Sequence, residues 1–308
     1  MLSRFFPPGS KSPPTEAPFV AISVCCVGEN HFHAGIIHGD VGSPLSILHL
    51  FWHEAIENET FPGSPKWEKM AWAVPELDPA VLPTITGFCR RIAKVKPKIP
   101  YALYCDESVS FSNDAKELIF GKRGFGLTCS TFILAVFQSQ LIPLVDYKSW
   151  PKLTPKEVQE WKTIIERLFE DLRHHYPFTD VHLSKVRKEA VECRYKPCDV
   201  VGACTAPPYP ATFKLARPAS DEISKQLPLP LPRLKKSGTV GKVFDYKIRA
   251  ELIGESYQIG MLPEGLSFSE NRVAGTPVKS GLFEVKITAT SSGGKRREFI
   301  LFLDITKP

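Results

Sequence analysis

The run Phe19–Val27 (FVAISVCCV) constrains this chain more than any other stretch, because it carries no charge and is rich in β-branched side chains. A strand with one wet face alternates polar and apolar residues, whereas a continuous apolar run reads as a strand buried on both faces. Beyond a turn at Gly28-Glu29-Asn30, His31–Asp40 (HFHAGIIHGD) predicts a second strand closed by a Gly-Asp turn, and Leu45–Trp52 a third. The three make an antiparallel meander, and five of the chain's eight histidines fall on it, within residues 31–53.

Helical signals follow the meander. Leu82, Ile85, Phe88 and Ile92 recur at helical spacing behind Asp78 as a cap and Pro79 at the first helical position, and Pro97 to Pro100 end that helix. Gly124-Phe125-Gly126-Leu127-Thr128 ends a glycine-rich turn and opens the apolar helix Cys129–Phe137, with Thr128 as its N-cap. Thr154-Pro155-Lys156-Glu157 is a capping box ahead of Val158, Trp161, Ile165, Leu168 and Leu172, and a further helix is expected from about Leu183 to Glu192.

Residues 206–236 contain seven prolines and read as a semi-rigid linker. Beyond them Val243–Ala250, Gly281–Thr290 and Glu298–Ile305 alternate apolar and polar residues between Gly, Ser and Pro turns, the pattern of a small all-β sandwich. The expected organisation is therefore a domain over 1–205, a linker over 206–236 and a sandwich over 237–308. A length of 308 residues and 43% hydrophobic content suffice for two cores, and residues 1–16 read as a loosely held Pro/Ser-rich arm.

Charge narrows the partners. Against 33 acidic residues stand 39 basic ones, a net +6 spread over several short basic runs without interleaved aromatics, which reads as solvated surface and not as a nucleic-acid footprint. No stretch is apolar for the length of a membrane span, and Met1–Gly9 makes a poor secretory signal. The eight cysteines are not spaced as a disulfide framework. A reducing cytoplasm is the expected location.

A cysteine at a helix start feels unpaired N–H groups and the positive end of the helix dipole, which favour its thiolate, so Cys129 is expected to have a lowered pKa. A nucleophilic thiol needs an imidazole to take its proton and a third polar group to orient that imidazole. His33 and His49, on neighbouring strands, are the candidates, in the order His, His, Cys that reverses papain's.

The motifs carry a resemblance. His33-Ala34-Gly35-Ile36 with Gly39-Asp40, then Leu48-His49-Leu50, then Thr128-Cys129-Ser130-Thr131-Phe132-Ile133 resemble the three signature segments of the circularly permuted papain-like hydrolases, which include lecithin:retinol acyltransferase and permuted NlpC/P60 enzymes. The resemblance covers about residues 18–140. It implies an α+β fold, an antiparallel sheet with helices, in which Cys129 is the nucleophile, His33 the base and His49 its orienting partner. Two departures stand out: Thr128 replaces the family's usual Asn, and the interval from His33 to His49 exceeds the usual one, which leaves His53 or His38 open for the third role. Residues 237–306, through Leu262-Pro263-Glu264-Gly265-Leu266, Gly275-Thr276-Pro277 and Val285–Thr290, resemble the immunoglobulin-like repeats of bacterial proteins. Such repeats are frequent on exported proteins, so a specialised secretion route is the alternative to a cytoplasmic location.

The implied activity is a cysteine hydrolase acting on an amide or peptide bond of peptidoglycan or protein through a Cys129 acyl-enzyme. An acyl-lipid hydrolase or acyltransferase is one alternative. A catalytically inactive interaction protein, whose Ig-like part binds a protein or glycan, is another. No cofactor is expected. His182, Cys193, Cys198 and Cys204 are soft ligands close in sequence, but they lack Cys-x-x-Cys spacing and are read as unpaired thiols and not as a zinc site.

Overall fold

The computed structural model describes residues 4–10, 18–28, 31–61, 69–121, 124–172, 179–189, 194–227, 233–248, 254–294 and 296–308. The chain forms two compact units, Met1–Leu229 and Pro230–Pro308. Helices and antiparallel sheets make it an α+β protein.

The first unit is built on six strands: β1 (Phe5–Phe6), β2 (Phe19–Gly28), β3 (His31–Gly39), β4 (Leu45–Trp52), β5 (Ala55–Phe61) and β6 (Ala71–Ala73), in the order β1-β6-β2-β3-β4-β5. Every neighbouring pair is antiparallel. Strand β2 is central, and alternation sends Val20, Ile22 and Val24 into one core and Ala21 and Cys25 into another. That two-sided burial is what its unbroken apolar run requires. The first core is closed by the helices α1 (Leu82–Val95), α2 (Cys129–Gln138), α5 (Pro197–Cys204) and α6 (Phe213–Gln226). The second holds Ile37, Ile47 and Trp72, with Phe6 of β1 stacked on Trp72 at 3.7 Å, so described residues of the expected N-terminal arm form the sheet edge. A third cluster joins Trp52 and Tyr101 to Trp161, Ile165 and Phe169 of α3 (Pro155–Leu172) and Val186 of α4 (Asp180–Glu189). A short hairpin pairs β7 (Ser110–Phe111) with β8 (Leu118–Ile119).

Local signals explain the helix starts. Asp78 accepts the Ala80 N–H at 2.9 Å, capping a 3₁₀ turn over Pro79–Val81 that leads into α1. The Glu157 carboxylate accepts the Thr154 N–H at 2.9 Å and the Thr154 hydroxyl at 2.8 Å, the reciprocal cap expected ahead of α3.

The linker expected over 206–236 is corrected. Helix α6 occupies its middle and buries Ala216, Ala219, Ser220 and Ile223, spaced as one helical stripe, against α5. The two helices approach so closely that a Cβ at Gly202 would lie 2.7 Å from Ala216 O. Pro218 sits inside the helix at the loss of one backbone bond, which packing on this stripe outweighs. Accordingly the first unit runs to Leu229, not 205, and the second begins at Pro230, not 237.

The second unit contains β9 (Arg233–Thr239), β10 (Phe244–Lys247), β11 (Ser256–Ile259), β12 (Leu266–Ser269), β13 (Arg272–Gly275), β14 (Gly281–Thr290) and β15 (Arg296–Thr306). They form a three-stranded sheet, β10-β13-β12, and a four-stranded sheet, β11-β14-β15-β9, in which β9 runs parallel to β15. Phe244, Ile248, Val273, Val285, Ile287, Phe299, Leu301 and Leu303 make its core from alternate strand positions. Among the described residues no helix is long and apolar enough to cross a membrane.

Candidate active site

Strands β3 to β5 hold a chain of polar side chains. His33 Nε2 lies 2.8 Å from His49 Nδ1, and His49 Nε2 lies 3.0 Å from Glu59 Oε1 and 3.7 Å from Glu57 Oε2. Pairing places Glu57 directly across from His49, and Glu59 two residues on shares its face. Gly35 makes the room: a Cβ there would stand 2.7 Å from Ile47 Cγ2 and 3.2 Å from both His49 Cβ and Leu48 O. His49 is fully buried.

With both rings neutral, these contacts set the tautomers. A carboxylate only accepts, so His49 Nε2 carries the proton it gives to Glu59, and His49 Nδ1 is then an acceptor. His33 Nε2 must therefore donate to His49, which leaves the neutral His33 ring with its lone pair at Nδ1. That nitrogen is the basic one. Glu57 and Glu59 were not singled out from sequence; the signal was two acids two residues apart on the strand following the two histidine strands.

Cys129 opens α2. Thr128 Oγ1 accepts the Thr131 N–H and Thr131 Oγ1 accepts the Thr128 N–H at 2.7 Å, a complete capping box with threonine at both ends. The β3–β4 ladder runs from His38↔Ser46 to Ile36↔Leu48, and two residues past its end the Ala34 N–H donates to the Cys129 sulfur. Thus the thiol stands at the strand carrying His33, one residue from it. The Ser130 hydroxyl lies 4.0 Å from the sulfur. The structure joins His33 to His49 by a hydrogen bond, and among the described residues no hydrogen bond joins the thiol to an imidazole.

The expected lowering of the Cys129 pKa is overturned. Burial pushes the thiol up, and the Ala34 N–H, the Ser130 hydroxyl and N–H, and the Arg194 guanidinium oppose it without prevailing. Desolvation penalises the thiolate more than one helix terminus favours it.

The two open candidates for the third role lie elsewhere. His38 Nε2 is 2.9 Å from Asn58 Oδ1, and burial lowers its pKa. His53 accepts the Tyr101 N–H at 3.2 Å, and its ring meets His182 edge-on at 4.7 Å. Neither is hydrogen-bonded to His33. Cys198 and Cys204 are buried on α5, with the Cys204 thiol donating to Ala73 O at 3.5 Å, and they do not cluster with His182 at ligand spacing. Cys193 lies outside the described residues. His49, Glu57 and Glu59 bring ligand atoms within 4.8 Å of one another.

Arg194 and Tyr101, also not anticipated, complete the surroundings of the thiol. An isolated bridge pairs Tyr101 with Leu127, which places Tyr101 beside the turn into Cys129, and the thiol and the Arg194 cation both act on the Tyr101 hydroxyl.

Sequence comparison finds the family described as "Putative Ig domain" over residues 221–306, and the C-terminal part is Ig-like. No curated protein matches. Among solved structures, one described as "a putative alpha-galactosidase/melibiase" from Bacteroides fragilis overlaps 23% of this chain and 16% of its own, at 19% identity and a TM-score of 0.21. A 2,6-sialyltransferase from a Vibrionaceae Photobacterium overlaps 25% of this chain and 18% of its own, at 12% identity and a TM-score of 0.19. Overlaps this slight carry no argument about fold or activity.

Proposed function

We propose that the first unit is a cysteine hydrolase of permuted papain-like fold that cleaves an amide or ester bond. The observation that carries this reading is the chain His33–His49–Glu59, because it leaves His33 Nδ1 as a proton acceptor on the strand whose next amide binds the Cys129 sulfur. The thiol proton passes to His33 Nδ1 as sulfur bonds to the substrate carbonyl carbon. His33 then returns that proton to the departing amine or alcohol, leaving a thioester on Cys129. Water attacks the thioester, gives a proton to His33, and the acid product leaves as the proton returns to sulfur. Backbone N–H groups at the start of α2 stabilise the oxyanion in both steps.

The second unit serves as a holding module for a protein or glycan. Peptide, protein and acyl lipid all offer the bond required, and a catalytically silent domain that only binds is the competing reading.

Cys129→Ala and His33→Ala test the proposal against turnover of activated amide and thioester substrates. Both variants are expected to fold and to lose activity. Wild-type turnover in either refutes the assignment.

A further inference from the structure

His49, Glu57 and Glu59 are arranged more closely than a proton relay requires. His49 Nε2 stands 3.0 Å from Glu59 Oε1 and 3.7 Å from Glu57 Oε2, and one ligand atom of each residue falls within 4.8 Å of the other two. Ligands about 2.0–2.1 Å from a tetrahedral zinc are about 3.3 Å apart, so the two separations bracket the edge of such a site. Strand pairing supplies the arrangement: Glu57 faces His49 across the β4–β5 ladder, and Glu59 follows two residues on, on the same face. The imidazole is fully buried, while the carboxylates are the wet side, Glu57 41% and Glu59 21% exposed, which gives an ion a way in. A histidine that ligates a metal donates its other N–H to a neighbouring acceptor, and His33 Nε2, 2.8 Å from His49 Nδ1, is placed to be one. Strand β5 ends the sheet, so its acids can close on an ion without disturbing a further ladder.

We propose that His49 Nε2, Glu57 and Glu59 bind a divalent zinc ion, and that the bound ion turns off His33 as a base. The donor set selects the metal: imidazole suits zinc, whereas magnesium and calcium prefer oxygen ligands. Three protein ligands leave a fourth position for water. An ion on Nε2 needs that nitrogen's lone pair, so the His49 proton moves to Nδ1 and is donated to His33. His33 Nε2 then accepts, and the His33 proton moves to Nδ1, the atom that would take the proton of Cys129. Each ring keeps one proton, and none is released. The site stands on the geometry alone, and its effect on Cys129 rests on the hydrolase reading.

The probes are Zn²⁺ and Co²⁺ added to the full chain at about pH 7.5, where a free imidazole is mostly neutral, with Mg²⁺ as the control. Competition against a chromogenic chelator gives the affinity and stoichiometry. One zinc per chain is expected, retained in Cys129→Ala, and the Co²⁺ form should absorb without sulfur-to-cobalt charge transfer. Losing a group that merely orients a ligand costs about 10–100-fold in metal affinity, so Glu57→Gln/Glu59→Gln should lose about a hundredfold or more. Wild-type affinity in the folded double variant, or sulfur charge transfer in the Co²⁺ form, overturns the site. Should the double variant fail to fold, Glu57→Gln at its half-exposed position decides in the same way, with a loss of about tenfold expected. Saturating zinc should slow iodoacetamide at Cys129 by about a hundredfold in the wild type, as a misplaced tautomer does, and should leave the double variant's own rate unchanged. A wild-type rate indifferent to bound zinc overturns the switch. If His33→Ala also alkylates at the wild-type rate, the fault lies with the hydrolase reading; if His33→Ala is slow, it lies with the switch alone.

Discussion

Removing the carboxylate that pins His49 is the sharpest test of the tautomer argument. In Glu59→Gln the side-chain amide can still present its oxygen to His49 Nε2, so the geometry survives and only the charge is lost. A charge-assisted bond contributes about 1 kcal/mol more than a neutral one, so the variant should slow Cys129 alkylation by about fivefold. Glu59→Ala is softened by Glu57, whose Oε2 already stands 3.7 Å from the same nitrogen and needs only a small shift. The double variant Glu57→Ala/Glu59→Ala removes both acceptors from a fully buried imidazole. An unsatisfied buried donor costs about 1–3 kcal/mol of stability. With no acceptor at Nε2, His49 is released to move its proton to Nδ1. His33 Nε2 must then accept, and the His33 proton moves to Nδ1, where the base should be. A misplaced tautomer of this kind lowers rates by about a hundredfold or more. The assay is the iodoacetamide rate at Cys129 at pH 7 by site-resolved mass spectrometry, with thermal unfolding as the check on folding. The expected order of rates is wild type, Glu59→Gln, then the double variant. A folded double variant that alkylates at the wild-type rate refutes the relay.

Further expectations follow from the packing. Gly35→Ala drives a Cβ to within 2.7 Å of Ile47 Cγ2 and should cost about 1–3 kcal/mol in a thermal or denaturant melt, together with a slower Cys129, because His49 is displaced with β4; an unshifted midpoint contradicts this. His38, His53 and His182 all have pKa values lowered from 6.5 by burial, so below that pH the unfolded chain binds more protons than the folded one. Stability present above about pH 6.5 should therefore decline as pH falls toward the carboxylate range, and a flat profile between pH 7 and 5 contradicts it. A fragment over residues 1–229 should be soluble and cooperative, whereas one over 1–205 loses α6, uncovers α5 and should aggregate. Equal behaviour of the two fragments on gel filtration contradicts that assignment.

How much could be read from the sequence depended on how local each cause was. The β2 run, the helix α3 cap and the alternating strands β14 and β15 are specified within a few residues, and all three stand where the pattern put them. Helix α6 was missed because proline content was weighed above the stripe Ala216, Ala219, Ser220, Ile223, whose apolar character is weak until Gly202 and Ala203 of α5 are brought against it. Strands β11, β12 and β13 are only four residues each, and β9 and β11 pair with strands distant in sequence.

At the site the same division holds, with one further consequence. Histidines at 33 and 49 were legible as candidates because glycine, turn and strand signals frame them. Their contact was not, since it depends on register between β3 and β4, and neither was Glu59, which depends on register between β4 and β5. The pKa of Cys129 failed for a different reason: a helix start is a local feature and can be read from the chain, whereas burial is a property of everything packed around the thiol. On the proposed hydrolase reading, a thiol whose pKa burial raises would draw on His33 as base at the moment of attack, and the proton site of that base would be set two side chains away at Glu59, which would make the acids of β5 as decisive for the chemistry as the cysteine itself.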